Sequence, residues 1–459
     1  MTGPATAGTA TTGPTTTGPT RTGDVTTGDG HAHGRADPRA RVVVTGMGVV
    51  SPAGATAEAA YHHVLTGRSC TGPDLTAPVV DFDPADWLDP REVRRVDRVG
   101  HFGLAAAAEA IAQAGLHDPD RGADIDPRRV AVVVGSGVGG LTTLEDGVAT
   151  RVTRGPERVG PLLVPMMMPN ATAGLIALHH GFRGAALAVA TACASGANSI
   201  GEAAALIRAG RADVVVAGGS EAAITPTALA GFARMGALSR RHHDPAGASR
   251  PFDRDRDGFV MGEGAGIVVL ERADHAERRG ATVLGEVAGY GATCDAHHLT
   301  APDPAGEGAL ACMEEALADA GISPAEVSHV NAHGTSTPLN DKAESDALVR
   351  LFGGTTPPVT STKGVTGHLV GAAGAVEAVL GLLSARHGLV PPVANLTDPD
   401  VDPAVDLVRG EPRPVTGRVV LSNSFGFGGH NASLVLVAHP AGPTKPAEPA
   451  EPADASPAR

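Results

Sequence analysis

Aromatic residues are scarce in this sequence: Phe, Tyr and Trp make up 3% of 459 residues. A core short of rings must be built from Ala, Val, Leu and Gly, whose small side chains let neighbouring elements pack closely. Cysteine is also sparse. Cys70, Cys193, Cys294 and Cys312 are widely scattered with no CxxC pair, which argues against a zinc ribbon or a dithiol redox centre. Basic residues are outnumbered, 36 Lys and Arg against 50 Asp and Glu, for a net charge of −14. Nucleic acid, which needs an extended cationic footprint, is therefore not an expected partner. A local basic patch for an acidic protein stays open. No stretch is long and apolar enough for a membrane span, and the N-terminus lacks the basic-then-apolar order of a signal peptide. We expect no membrane association and a reducing, cytoplasmic setting in which a reactive thiol survives.

What is present is a large apolar fraction, 42%, enough for an extensive core. The ends differ from the body. Residues 1–40 are a Thr/Gly/Pro/Ala tract and residues 439–459 a Pro/Ala/Glu-rich one. Neither buries enough apolar surface to offset ordering entropy, so both are expected to be disordered. His31 and His33 in the first are read as solvated. Within the body, Glu109–Leu116 (EAIAQAGL) resembles Glu315–Ile322 (EALADAGI), about 200 residues later. Each is followed by a Pro-led turn, Asp126-Pro-Arg-Arg or Ser323-Pro-Ala-Glu, and then by a short strand. The spacing predicts a duplicated α/β unit with mostly parallel sheets covered by helices. The halves fall at 41–285 and 286–438.

Cys193 stands out among the motifs. An apolar, strand-like run, Leu187–Ala192, leads to it, and a charge-poor helical run follows to Gly210. Helix N-terminal amides at such a junction stabilise a thiolate, which makes Cys193 a candidate nucleophile. His333 (NAHGTST), Lys363 and His368 (STKGVTGHL) and the loop Asn423–Asn431 (NSFGFGGHN) are candidates for its partners, although singly each has an ordinary structural reading. Other features point elsewhere. Gly46-x-Gly48 reads as a turn after a strand; Ser51 at the third glycine position and Pro52 argue against a dinucleotide site. Asp253, Asp255 and Asp257 imitate a calcium loop, but its twelfth position is Gly264, so internal ion pairs are the better account. Met166–Met168 reads as adaptable packing. Arg91, Arg94, Arg95 and Arg98 are spaced to share one helical face, either solvated or a docking patch for an acidic partner.

Taken together these motifs carry a resemblance. RVVVTGMGVVSP, VVGSGVGGL, TACASGANSIG, ADVVVAGGSEAA, RPFDRDRDGFVMGEGAG, NAHGTSTPLNDKAE, STKGVTGHLVGAAGAVE and NSFGFGGHN occur in the order found in β-ketoacyl-[acyl-carrier-protein] synthases, and the chain is most similar to the elongating synthase II type. The resemblance covers 41–438. It implies an α/β, thiolase-like fold in which duplicated αβ halves stack as five layers, α-β-α-β-α. It implies that Cys193 accepts the acyl chain. His333 and His368 would act on the malonyl unit, with Lys363 as their electrostatic partner. Backbone amides of Cys193 and Phe425 would form the oxyanion hole, and Phe425 would gate the thiol. Thr335 and Thr337 would bind the phosphopantetheine arm. Val138, Leu163, Ala228 and Phe232 match acyl-pocket or dimer-contact positions. Arg91, Arg94 and Arg95 match positions that contact the acidic carrier protein. No metal and no resident cofactor are implied, since the carrier supplies phosphopantetheine.

Two histidines at the motif positions separate the chain from initiating synthases, which carry His and Asn, and Cys193 separates it from chain-length-factor subunits. Leu163, where Phe is common, leaves polyketide and fatty-acid elongation both open. So does the choice between a homodimer and a heterodimer with a ketosynthase-like chain-length factor. Two other readings are kept: a non-catalytic interaction subunit, and a thiolase-type enzyme acting on coenzyme A esters.

Overall fold

The computed structural model describes residues 36–118 and 125–440. The tail readings for 1–35 and 441–459, with His31 and His33, lie outside the described residues. Residues 36–40 join the body, where the Asp37 N–H donates to the Arg208 carbonyl at 2.8 Å.

Among the described residues, ten strands form one hydrogen-bonded array. The first half contributes β1 (Val42–Val50), β2 (Val130–Gly135), β3 (Ala186–Leu187), β4 (Val214–Glu221) and β5 (Gly264–Arg272). The second contributes β6 (Gly285–Cys294), β7 (His329–Asn331), β8 (Val359–Thr360), β9 (Val419–Gly426) and β10 (His430–Ala438). From the centre outward the orders are β1-β5-β4-β2-β3 and β6-β10-β9-β7-β8. Both arrays place their first, fifth, fourth, second and third strands side by side. Directions repeat too: two antiparallel pairings, then two parallel ones. The repeat seen in the sequence is thus a repeat of topology. The sheets are less parallel than expected, because the last strand of each half turns back between the first and the fourth. The arrays meet through only two residue pairs, Val43–Glu286 and Val44–Gly285.

Five layers follow. Helix α1 (Arg98–Ala114) covers the outer face of the first array, against β1, β5 and β4. Four further helices frame the site: α2 (Ser195–Arg208), α3 (Glu307–Ala320), α4 (Pro338–Phe352) and α5 (Ala373–His387). α3 covers β6 and β10 on the other outside face, with α4 packed on it. α2 and α5 fill the middle layer, touching strands of both arrays. Every residue of α5 from Ala373 to Ala385 is buried, as expected for a helix apolar on nearly all sides. α1 and α3 both end at a left-handed glycine, Gly115 (φ 66°) and Gly321 (φ 65°), the usual way to close a helix without a Cβ clash.

The glycine pair Gly46-x-Gly48 is not a turn. It lies inside β1, where a Cβ at Gly46 would sit 1.9 Å from the Ala110 carbonyl oxygen and one at Gly48 2.0 Å from that of Ala106. The second half repeats the device: Cβ atoms at Gly289 and Gly291 would each sit 2.1 Å from the carbonyls of Ala316 and Cys312. α1 and α3 therefore rest directly on strand backbone.

Three further expectations change. The strand before Cys193 is only β3, Ala186–Leu187, and both its residues are exposed. It is the terminal strand and pairs with β2 alone, so the chain leaves the sheet before reaching Cys193. The four arginines do not share a helix: a four-residue helix, Pro90–Val93, stops at Arg94, and Arg98 starts α1, where it pairs with Glu263 at 2.6 Å. Arg91, Arg94 and Arg95 are exposed. The acidic loop finds its ion-pair partners and most of its other bonds outside itself. Arg254 pairs with Asp398 and Asp400, and Asp253 accepts from Arg250, Thr397, Asp398 and Asp255.

Candidate active site

Cys193 sits on a single 3-10 turn, Ala192–Ala194, that runs into α2. Ala192 has φ 50°, a left-handed conformation costly for a residue with a Cβ. Local bonds hold it. The Ser195 hydroxyl donates to the Ala192 carbonyl at 2.6 Å and accepts from the Thr191 N–H at 2.9 Å. The Thr191 hydroxyl donates to Asn198, whose amide donates to the Tyr290 hydroxyl on β6. A strained turn from the first half is thereby tied to the second. Ser336 (φ 70°) and Val370 (φ 46°) are likewise strained; Val370 lines the same cavity as Cys193.

His333 follows β7. Glu344 of α4 accepts from the N–H groups of His333 and Gly334, each at 2.8 Å. Behind His333 lies Lys363, fully buried, which donates to the His333 carbonyl at 2.6 Å and to Glu377 of α5. Its ammonium faces His333 Nδ1 at 3.4 Å. A cation there makes Nδ1 the acceptor and leaves the ring proton on Nε2. His368 is held by its backbone, its N–H donating to the Val260 carbonyl at 2.7 Å, while neither ring nitrogen has a partner. The His333 and His368 rings meet edge to face, centroids 5.4 Å apart. The Cys193 sulfur and one nitrogen of each imidazole lie within 4.8 Å of one another.

Burial governs the charges. It pushes the Cys193 thiol up to about 11, against the opposing pull of the Phe427 N–H and the Lys363 ammonium. The resting thiol is therefore protonated at neutral pH, and the expected helix-stabilised thiolate gives way to desolvation. Burial, then Lys363, holds His333 and His368 well below the ordinary imidazole range, so both rings are neutral. Burial also raises Glu344, Glu377 and Glu221 to about 7. Glu221 receives the Ser136 hydroxyl and the N–H groups of Gly137 and Gly371. It thereby fixes the loop carrying Val370.

A cavity of about 350 Å³ opens onto the thiol, lined by Cys193, His333, His368, Thr335, Thr337, Phe425, Phe427 and Phe232, among others. The Thr335 and Thr337 hydroxyls face each other at 2.9 Å. Not every expected residue reaches it. Val138 is 42% exposed, and Leu163 packs over Gly147, where an added Cβ would meet its Cδ1 at 1.8 Å. Ala228 lies beneath, in the cluster of Phe259 and Met261 that Phe232 also joins. The amide that reaches the sulfur is that of Phe427. Phe425 lies in the paired strand opposite Asn431 and offers its ring edge to His333, centroids 5.9 Å apart. Phe427, in the turn after it, has its N–H free of the ladder. Glu344, Glu377 and Glu221 were not singled out in the sequence. A visible signal existed for Glu377: it is the one charge in the run Ala372–Ala385.

Comparison with known proteins gives a consistent result. Residues 39–276 match the family model for the beta-ketoacyl synthase N-terminal domain and residues 284–397 that for the C-terminal domain. The chain is 45% identical over 407 residues to a 3-oxoacyl-[acyl-carrier-protein] synthase 2 of Synechocystis sp., covering 86% of this chain and 97% of that one. It is 46% identical over 417 residues to that of Rhizobium meliloti, covering 86% and 98%. Among solved structures it resembles the ishigamide ketosynthase/chain length factor (TM-score 0.81, 35% identity, 87% of this chain and 100% of that one). It also resembles a chain of a structure described as a type II PKS acyl-carrier protein in complex with its ketosynthase bound to the hexaketide (TM-score 0.79, 32% identity, 87% of this chain and 100% of that one). No helix among the described residues is long and apolar enough to cross a membrane.

Proposed function

The chain belongs to the β-ketoacyl synthase family and is an elongating, carbon–carbon bond-forming acyltransferase, and on that premise we propose that Cys193, His333 and His368 carry its reaction. The observation behind this is the buried sulfur and two imidazoles drawn within 4.8 Å at one cavity. In the first step the Cys193 sulfur attacks the thioester carbonyl of an acyl carrier protein. The S–C bond to Cys193 forms, the carrier's S–C bond breaks, and the thiol proton passes through an imidazole to the departing thiolate. The N–H groups of Cys193 and Phe427 are the donors we assign to the tetrahedral oxyanion, Phe427 replacing Phe425 for the reason given above. In the second step malonyl-carrier enters and its carboxylate leaves as CO₂. The bonding pair becomes an enolate, whose oxygen receives N–H donation from His333 Nε2 and from His368. The enolate carbon then attacks the Cys193 acyl group, the C–S bond breaks, and the sulfur leaves as a thiolate that takes a proton from solvent.

Thr335 and Thr337, which line the cavity, suit the hydroxyl- and amide-bearing phosphopantetheine arm. It arrives on the carrier, so no resident cofactor is needed. Arg91, Arg94 and Arg95 are proposed to receive the acidic carrier. A second ketosynthase-like chain, the same or a chain-length factor, is proposed to cover the bare edge of β3 and the exposed Leu144, Val148, Val152, Leu162 and Val164; a patch this apolar is typical of an interface. Val138 and Leu163 would meet the acyl chain there, not in the cavity of one chain. Incubation with acyl-carrier and malonyl-carrier proteins should release CO₂ and lengthen the acyl group by two carbons. A folded protein never acylated on Cys193 would overturn the reading. Product formation that survives Cys193→Ala in the native assembly would favour the interaction-subunit reading, and acylation from coenzyme A esters alone the thiolase-type one.

A further inference from the structure

We infer that Cys193, His333 and His368 also form a binding site for a soft divalent transition-metal ion, Zn²⁺ being the best match, and that an ion held there blocks the nucleophile. The chemistry of the donors is the starting point. One sulfur and two imidazole nitrogens are the ligand types that Zn²⁺ selects, and three protein ligands leave a fourth position for water. All three residues are buried, with donor atoms within 4.8 Å of one another. Bond lengths of roughly 2.3 Å to sulfur and 2.0–2.1 Å to nitrogen set tetrahedral ligands about 3.3–3.7 Å apart. The three groups must therefore close by roughly 1 Å.

That closure is open to them. His368 carries two buried ring nitrogens with no hydrogen-bond partner, so turning its ring breaks no bond. His333 has Nδ1 facing Lys363, so Nε2 is its nitrogen toward the ion; on binding, the Nε2 proton passes to Nδ1 and the Lys363 ammonium keeps its bonds to the His333 carbonyl and Glu377. The adjoining cavity gives room for a hydrated ion to enter, and Asp257 and Asp295 line it. The nearby ammonium of Lys363 opposes a cation, but it is paired with Glu377. Binding replaces the S–H bond by S–Zn and releases the proton to solvent. Mg²⁺ and Ca²⁺, which demand oxygen ligands, have no place here. The blocking of acyl transfer rests on the function proposed above; binding of the ion does not, so the two fail separately.

Co²⁺ titrated into the untagged full-length protein tests the binding. Expected are the near-ultraviolet thiolate-to-cobalt band and the intense visible bands of a tetrahedral site, both bleached by added Zn²⁺, with release of about one proton per ion. Zn²⁺ should slow carbamidomethylation of Cys193 by iodoacetamide by about tenfold or more, and EDTA should restore the rate. Cys193→Ser, its fold checked by circular dichroism, should lose the thiolate band; Cys294→Ser, which changes the exposed thiol, should keep it. An octahedral spectrum without a thiolate band overturns the inference. So does a band that persists in Cys193→Ser or disappears in Cys294→Ser, or an alkylation rate indifferent to Zn²⁺.

Discussion

The ammonium of Lys363 lies 3.4 Å from Nδ1 of His333 while donating, at 2.6 Å, to that residue's own carbonyl oxygen. One cation thus sets both the backbone position and the tautomer of the imidazole. It does so from a fully buried position, which only Glu377 makes tolerable. Glu377 Oε2 has no partner at all, so the pair has no reserve.

Lys363→Ala should therefore destabilise the protein by about 3–5 kcal/mol, the usual effect of stranding one member of a buried ion pair. Urea unfolding checks this. Lys363→Met combined with Glu377→Leu should recover most of the stability, since apolar replacements of both partners are well tolerated. It should not recover condensation. Recovery of both would mean that Lys363 has no part in orienting His333.

The raised thiol predicts an unusual reactivity profile. With Cys193 pushed up to about 11, its alkylation by iodoacetamide should climb about tenfold per pH unit between pH 7 and 10, because only the thiolate reacts. Peptide mass spectrometry against pH checks this. A rate that levels off near pH 6–7 would instead indicate a standing thiolate–imidazolium pair.

Asp253 supplies a pH dependence of stability. Burial pushes its carboxyl upward, but the Arg250 guanidinium and the N–H groups of Asp398, Asp255 and Thr397 overcome this and hold it well below the ordinary aspartate range. A group depressed on folding contributes stability above its unfolded pKa and loses it as pH falls toward the folded value. Asp253→Asn should thus be less stable than the parent at pH 7, and the gap should narrow as pH falls from about 4 downward. Thermal melts across that range measure it. A gap unchanged at pH 3 would show that shape, not charge, is what the site requires.

Gly46→Ala and Gly289→Ala test the internal repeat. Each added Cβ would collide with a helix carbonyl, at 1.9 Å and 2.1 Å respectively. Moving a helix off its strand in this way should cost about 1–3 kcal/mol, and similar amounts in the two halves. Denaturant midpoints of the two single variants report it. A loss at one site only would mean that the halves no longer share the packing their topology suggests.

The sequence made the repeat, the halves and the reacting groups visible because each is carried by a local pattern: a Pro-led turn after a glycine-ended helix, or a Cys, His or Lys inside a motif. What it hid depends on contacts between distant segments. Glu344 looks like an ordinary helix carboxylate until α4 brings it to the amides of His333 and Gly334. Arg98 fits a helical row of arginines by spacing, yet its partner is Glu263, 165 positions away. Gly46 and Gly48 read as a turn because glycine frees the backbone; here they serve by lacking a side chain beneath α1. The choice between Phe425 and Phe427 rests on which of them pairs in the ladder, and no periodicity in SFGFGG reveals that.

The two halves are alike in topology but unlike in what they bring to the cavity. The sulfur comes from the first, both imidazoles from the second, and the halves are joined by two ladder pairs, the middle layer of α2 and α5, and bonds such as Asn198 to Tyr290 and His368 to Val260. A shift of one half against the other breaks the His368–Val260 bond and moves the thiol relative to His333 in the same movement. Catalysis in this protein is therefore a gauge of alignment: turnover reports whether the halves are in register, and it should fail before either half loses its own secondary structure.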